Sequence, residues 1–129
     1  MASNLDRALA VLGPLEARIM RAVWNGEVRE PFVVRDVQAK TKGLAYTTVM
    51  TTLNRLAEKG LLEVKPVPNQ RAHSYRKAGT PADFLSESGR AQAQELVERF
   101  GDAALAAFAA HIDELSPTQR ERLRKLAGR

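Results

Sequence analysis

The sequence has no cysteine. That absence excludes disulfides, thiol nucleophiles and thiolate-bound metal. Its two histidines, His73 and His111, stand far apart and not at ligand spacing, so no metal site is expected. Aromatic residues are scarce, at 5%, and any core must be mostly aliphatic. No apolar run approaches the ~20 residues that cross a bilayer. The N-terminal stretch MASNLDRALAVLG is interrupted by Asp6 and Arg7 and lacks the layout of a secretory signal. The chain is therefore expected to be cytoplasmic, with no membrane partner. A glycine-rich phosphate loop, a Ser-His-Asp set and paired carboxylates in a catalytic motif are all missing, so neither an enzyme nor a bound cofactor is expected.

What is present divides unevenly along the chain. The 129 residues carry a net charge of +5, with 44% hydrophobic and 27% charged side chains, an ordinary composition for a globular protein. Residues 1–77 hold 13 Lys/Arg against 7 Asp/Glu, a balance of +6, whereas residues 78–129 hold 7 against 8, a balance of −1. A basic first part points to a polyanion partner, although a charge of this size is also compatible with a merely solvated surface.

Periodicity places the elements. GPLEARIMRAVWNG reads as a helix with Pro14 in its first turn, an apolar face of Leu15, Ile19, Met20, Val23 and Trp24, and Asn25-Gly26 as the stop. EPFVVRDVQAKTKG starts extended at Pro31–Val33 and turns helical from Val34 to about Lys40, with Asp36 near the N-terminus. A third helix covers residues 45–59 and ends at Gly60. LLEVKPVPNQRAHSYRK reads as a two-stranded hairpin, with Leu62 and Val64 alternating against Glu63 and Lys65, a basic tip over 66–72, and Tyr75 pointing inward. After residue 78 three more helices follow. The first is opened by Thr80-Pro81 with Asp83, and Gly89 is expected to interrupt it; the second is alanine-rich; the third is opened by the Ser116/Gln119 capping box. The fold expected is mainly α with a small β-hairpin. It comprises a winged helix-turn-helix domain over 1–78 and a C-terminal helical dimerisation arm over 79–129. The arm has too few large apolar residues for a core of its own, and packing against a second copy would supply the missing partner surface.

The third helix carries the chemistry. On a helical wheel Tyr46, Val49, Leu53, Leu56 and Ala57 fall on one half, and Thr47, Thr48, Thr51, Thr52, Arg55, Glu58 and Lys59 on the other. Four threonines cost about 1–2 kcal/mol in helix propensity against alanine. Short hydroxyl side chains allow close approach, bond equally to phosphate oxygens and base edges, and present a methyl to thymine. With Arg55 they form a face suited to the major groove, and the basic hairpin beside it suits a DNA backbone.

The segments LGPLEARIMRAVW, VVRDV, AYTTVMTTLNRLAEKGLL and RAHSYRK resemble, in order and approximate spacing, the BlaI/MecI penicillinase-repressor family, which includes the CopY-type copper repressors. The resemblance is specific over residues 12–78 and looser beyond. It implies a winged-helix DNA-binding domain, a homodimer, and repression at a palindromic operator in double-stranded DNA. It also implies that helix 45–59 is the recognition helix. DNA contact carries over to Thr47, Thr48, Thr51, Thr52 and Arg55, with Arg71 in the wing. Tyr46 and His73 join these as candidate DNA-binding residues, and Leu105, Phe108, Ile112, Leu123 and Leu126 are the candidate dimerisation residues. Three features depart from the family. Val33 stands where a Ser or Thr cap is usual, and the metal-binding cysteine hook of CopY-type members is absent. Antibiotic-responsive members are cut before a phenylalanine, commonly after asparagine, by a protease allied to a sensor. Here the nearest match, Ala107-Phe108, lacks the asparagine. The rival reading is a winged helix used as a protein–protein interaction module, which calls for an acidic or apolar recognition face.

Overall fold

The computed structural model describes residues 2–128. The chain runs α1 (Asn4–Val11), α2 (Pro14–Trp24), α3 (Val34–Lys40), α4 (Tyr46–Glu58), β1 (Leu62–Pro66), β2 (His73–Lys77), α5 (Pro81–Phe100), α6 (Asp102–Asp113) and α7 (Pro117–Ala127). It forms two compact units, one ending at Ser88 and the other beginning at Gly89.

Helix α1 is absent from the sequence-based reading above, which took this stretch only as the lack of a signal. Its signature is local: the Ser3 hydroxyl accepts the Asp6 N–H at 3.0 Å, and Asp6 accepts the Ser3 N–H at 3.3 Å, a reciprocal cap. Ala8 and Leu9 face the core.

The core of the first unit gathers Ile19, Met20 and Val23 of α2, Val34 and Val37 of α3, Val49, Leu53 and Leu56 of α4, and Leu62 and Tyr75 of the hairpin. On α2, Leu15 is exposed instead of joining that face. Helix α3 starts without a side-chain cap at Val33; the Asp36 carboxylate accepts the Val33 N–H at 2.9 Å and satisfies it from inside the helix. Helix α4 closes on Lys59 as its C-cap, and Gly60 after it, with φ of +83°, continues the chain without the strain a side chain would bring.

The two strands pair antiparallel, from Leu62 opposite Lys77 to Pro66 opposite His73. Phe32 extends the sheet by one bridge, donating to the Tyr75 carbonyl at 2.9 Å and accepting the Tyr75 N–H at 2.7 Å. Tyr75 is thus held between two neighbours and is buried, as expected. The expected alternation of β1 holds only at Leu62. Val64 is 44% exposed, because β1 is the outer strand and all its residues after Leu62 are exposed.

Trp24 donates its indole N–H to the Gly79 carbonyl at 3.0 Å and packs on Phe84, with ring centroids 6.2 Å apart. These contacts fasten the start of α5 to the first unit. Thr80 and Asp83 cap α5 reciprocally, at 2.9 and 3.1 Å. Exchange of hydrogen bonds with the Thr80 backbone and hydroxyl holds the Asp83 carboxyl below its usual pKa. The division expected after residue 78 precedes α5; the compact units divide later, within α5, between Ser88 and Gly89. Gly89 does not interrupt the helix, which is continuous to Phe100. A single glycine costs only about 1 kcal/mol, which twenty residues of helix absorb.

In the second unit α6 and α7 are joined through Ser116, whose hydroxyl accepts the Gln119 N–H at 3.2 Å. Among the described residues no helix is long and apolar enough to cross a membrane.

Candidate nucleic-acid interface

Helix α4 presents Thr47, Thr51 and Arg55 to solvent, with Thr48 half-buried beside them. The fourth threonine departs from the wheel. Thr52 is only 4% exposed, and its hydroxyl donates to the Thr48 carbonyl at 2.8 Å. It lines a recess with Gly13, Glu16, Arg55 and Lys59 instead of the open face. Packing between α2 and α4 buries this edge, and the back-bond to the preceding turn satisfies the hydroxyl. Three threonine hydroxyls, not four, are left to face a partner.

Lys59 is also withdrawn from the basic face. Its ammonium meets the Glu16 carboxylate at 2.9 Å, and the same oxygen accepts the Gly13 N–H at 3.2 Å. Burial pushes the Glu16 carboxyl up, but Lys59, the Gly13 N–H and the nearby Arg55 together outweigh it and leave the carboxyl below its usual range. Arg55 has no ion-pair partner among the described residues.

The wing stands beside the first half of α4. Its tip is closed by the Val67 N–H, which donates to the Ala72 carbonyl at 2.9 Å, and Asn69 turns the chain with φ of +63°. Behind it the Tyr75 hydroxyl donates to the Asn54 side chain at 3.0 Å, which ties β2 to α4. Burial, and secondarily the neighbouring Tyr46, pushes the Tyr75 hydroxyl above its usual pKa. Between wing, α4 and the start of α3 lies a cleft of about 300 Å³, lined by Tyr46, Met50, Arg71 and His73. The fold thus brings Tyr46 together with Arg71 and His73, which are remote in sequence.

The same cleft admits Arg35, a residue that motif reasoning passed over. Its guanidinium lies 5.5 Å from the centroid of the Tyr46 ring. The only advance signal was its place in the first turn of α3 beside Asp36, which does not distinguish a partner-facing arginine from a solvated one.

The second unit offers a different surface. Leu105, Phe108, Ile112, Leu123 and Leu126 are all exposed, and Leu96 and Phe100 with them. An apolar groove of about 280 Å³ runs along Leu96, Phe100, Ala104 and Phe108. The Ala107-Phe108 peptide lies inside α6, so a protease would have to unwind the helix to reach it. Among the described residues no group of three or more His, Asp or Glu is arranged to hold a metal.

Residues 12–129 match the family described as penicillinase repressor. The transcriptional regulator BlaI of Mycobacterium tuberculosis, in strains CDC 1551 and H37Rv, is 39% identical over 109 residues, which cover 72% of this chain and 76% of BlaI. Among solved structures, wild-type MarR from E. coli in its apo form shares 16% identity at a TM-score of 0.46, covering 88% of this chain and 87% of MarR. A MarR family regulator from Neisseria meningitidis shares 18% identity at a TM-score of 0.46, covering 90% and 82%.

Proposed function

Since this chain belongs to the penicillinase repressor family, and is therefore a DNA-binding transcriptional regulator and not an enzyme, we propose that it works as a homodimer holding a palindromic operator in double-stranded DNA. In this reading residues 1–78 bind the duplex and the helices after residue 79 hold two copies together. Helix α4 enters the major groove with Thr47, Thr48, Thr51 and Arg55, and the wing lays Arg71 and His73 along the backbone. Tyr46 stands at the start of the helix, in the cleft that faces the wing. Thr52 is left out of the contact set, since its hydroxyl is turned back on its own helix.

The observation that carries the reading is the exposed face of α4, small hydroxyls and an arginine with no ion-pair partner among the described residues, set beside a basic wing. The side of α4 that carries Thr47, Thr51 and Arg55 is neither the acidic nor the apolar face that a protein-binding module calls for. The apolar surface lies instead on the second unit, where Phe108 and its neighbours are exposed, and this supports self-association. A C2 pair of such domains reads two half-sites, which is why the operator is proposed to be palindromic.

The test is binding of the purified protein to its own promoter duplex and to a random duplex of equal length, across salt concentrations. Tighter binding to the promoter, weakening as salt rises, is expected. Equal affinity for both duplexes, or no salt dependence, overturns the reading. Thr51→Ala is expected to alter preference among operator variants by about 1 kcal/mol, whereas Arg71→Ala weakens binding to every duplex alike.

A further inference from the structure

Resting on the DNA-binding reading, we infer that Arg35 is a further backbone contact, pinned on Tyr46 so that the cleft between recognition helix and wing grips a phosphate of the duplex. Arg35 belongs to the first helix of the helix-turn-helix, Tyr46 to the second, and Arg71 to the wing, so three separate elements send these groups to one cleft. Two arginines lining one cleft raise its positive potential, which favours an anion there. The protein supplies none among the described residues: neither Arg35 nor Arg71 has a carboxylate within ion-pair distance. The two nearest candidates by sequence are already engaged, Asp36 with the Val33 N–H and Glu30 with the Lys77 N–H.

The contact with Tyr46 adds placement to charge. A guanidinium 5.5 Å from a ring centroid is attracted to the ring, and a side chain held that way loses fewer rotamers when it binds. The cleft it lines is also lined by the wing, at Gln70, Arg71 and His73. The occupant is identified by chemistry and by place. Planar, five-donor arginines suit phosphate oxygens, and one wall of the cleft is α4 itself, at Tyr46 and Met50. A phosphate of the strand flanking the groove that α4 enters is therefore the anion within reach. Tyr46 acts as a positioning residue in this arrangement, holding the arginine that makes the contact.

The experiment uses the full chain and fluorescence anisotropy with promoter and random duplexes between ~50 and ~200 mM salt, a range over which phosphate contacts change affinity strongly. Arg35→Gln is expected to weaken both duplexes by a similar factor, about tenfold, and to lower the slope of log affinity on log salt by about 1. Arg35→Lys is expected to restore that slope without restoring full affinity, because the charge returns and the fork does not. Tyr46→Leu is expected to weaken wild type but to add nothing to Arg35→Gln, the non-additivity of two residues acting as a unit. An unchanged slope in Arg35→Gln, with wild type still salt-dependent, overturns the inference while leaving the DNA-binding reading intact. So does a change in sequence preference without a change in slope, which would make Arg35 a base contact. Additive losses for Arg35→Gln and Tyr46→Leu overturn the pinning by Tyr46. A wild-type protein that shows no salt-dependent binding overturns the reading on which the inference rests.

Discussion

In the first unit the large apolar residues of four helices and a hairpin are turned inward, and Ile19, Met20, Phe32, Val49, Leu53 and Leu56 have no exposed surface at all. In the second unit Ala104 is the one residue buried among those described, while Leu96, Phe100, Leu105, Phe108, Ile112, Leu123 and Leu126 remain open. Both units are made of well-formed helices, and each has a helix opened by a reciprocal side-chain cap, α1 and α5 at Ser3 and Thr80 in the first and α7 at Ser116 in the second. The difference is that local signals suffice to define a helix, whereas burial needs several elements whose apolar faces meet. The second unit, the latter half of α5 with α6 and α7, has too few large apolar residues to close over one another. The apolar residues that the first unit leaves exposed, Val11, Leu15, Met50 and Val64, are spread over separate elements, whereas those of the second unit line a shared groove at Leu96, Phe100 and Phe108.

The largest effect that would sharpen this contrast is expected at Leu53. Leu53→Ala should cost about 2–5 kcal/mol of stability, seen as a lower urea midpoint that does not depend on protein concentration. Leu105→Ala should leave the first unit's transition unmoved. A loss there equal to that at Leu53 would mean the second unit has a core of its own, and the contrast would break. Next in size, Phe108→Asp should weaken self-association by at least ~2 kcal/mol, converting dimer to monomer in sedimentation equilibrium at micromolar concentration. An unchanged dimer would place the interface elsewhere.

A smaller effect is expected where α2 meets α4. Glu16→Gln should cost about 1–2 kcal/mol by removing the charge that Lys59 and the Gly13 N–H share. The folded carboxyl lies below its ordinary value, so this contribution is complete above the unfolded pKa, about 4.3, and fades as pH falls through the folded one. Melting of wild type and variant should therefore differ at neutral pH and converge in acid; a gap that persists at low pH would show packing, not the ion pair, to be its source. Smallest of all, Val64→Thr should change stability by less than ~0.5 kcal/mol, because the outer strand leaves that side chain in water. A loss on the scale of Leu53→Ala would mean a partner covers this edge.

Much of this is legible in the chain alone. Pro14 by its ring, Thr80 and Ser116 by their hydroxyls and Gly60 by its backbone mark helix ends locally, so α2, α5, α7 and the end of α4 follow from sequence. Helix α1 is equally legible from Ser3 and Asp6, a capping pair that the absence of a targeting signal leaves unremarked. Leu15, Val64 and Thr52 misled for one reason. Periodicity says which residues share a face, but not how far the neighbouring element extends over it. Lys59 misled for a second: a charge count treats as free a cation that Glu16, 43 positions away, already holds.

The sequence by itself determined the element order, the basic first part, the hydroxyl-rich face of α4 and the apolar excess of the last helices. These are properties of single segments, set by propensity, capping and composition. Only the tertiary structure decided that Thr52 turns inward, that Glu16 takes Lys59 out of the basic face, and that Arg35 joins Tyr46, Arg71 and His73 at one cleft. Each of these depends on distances between segments, and no local rule of chain geometry encodes them.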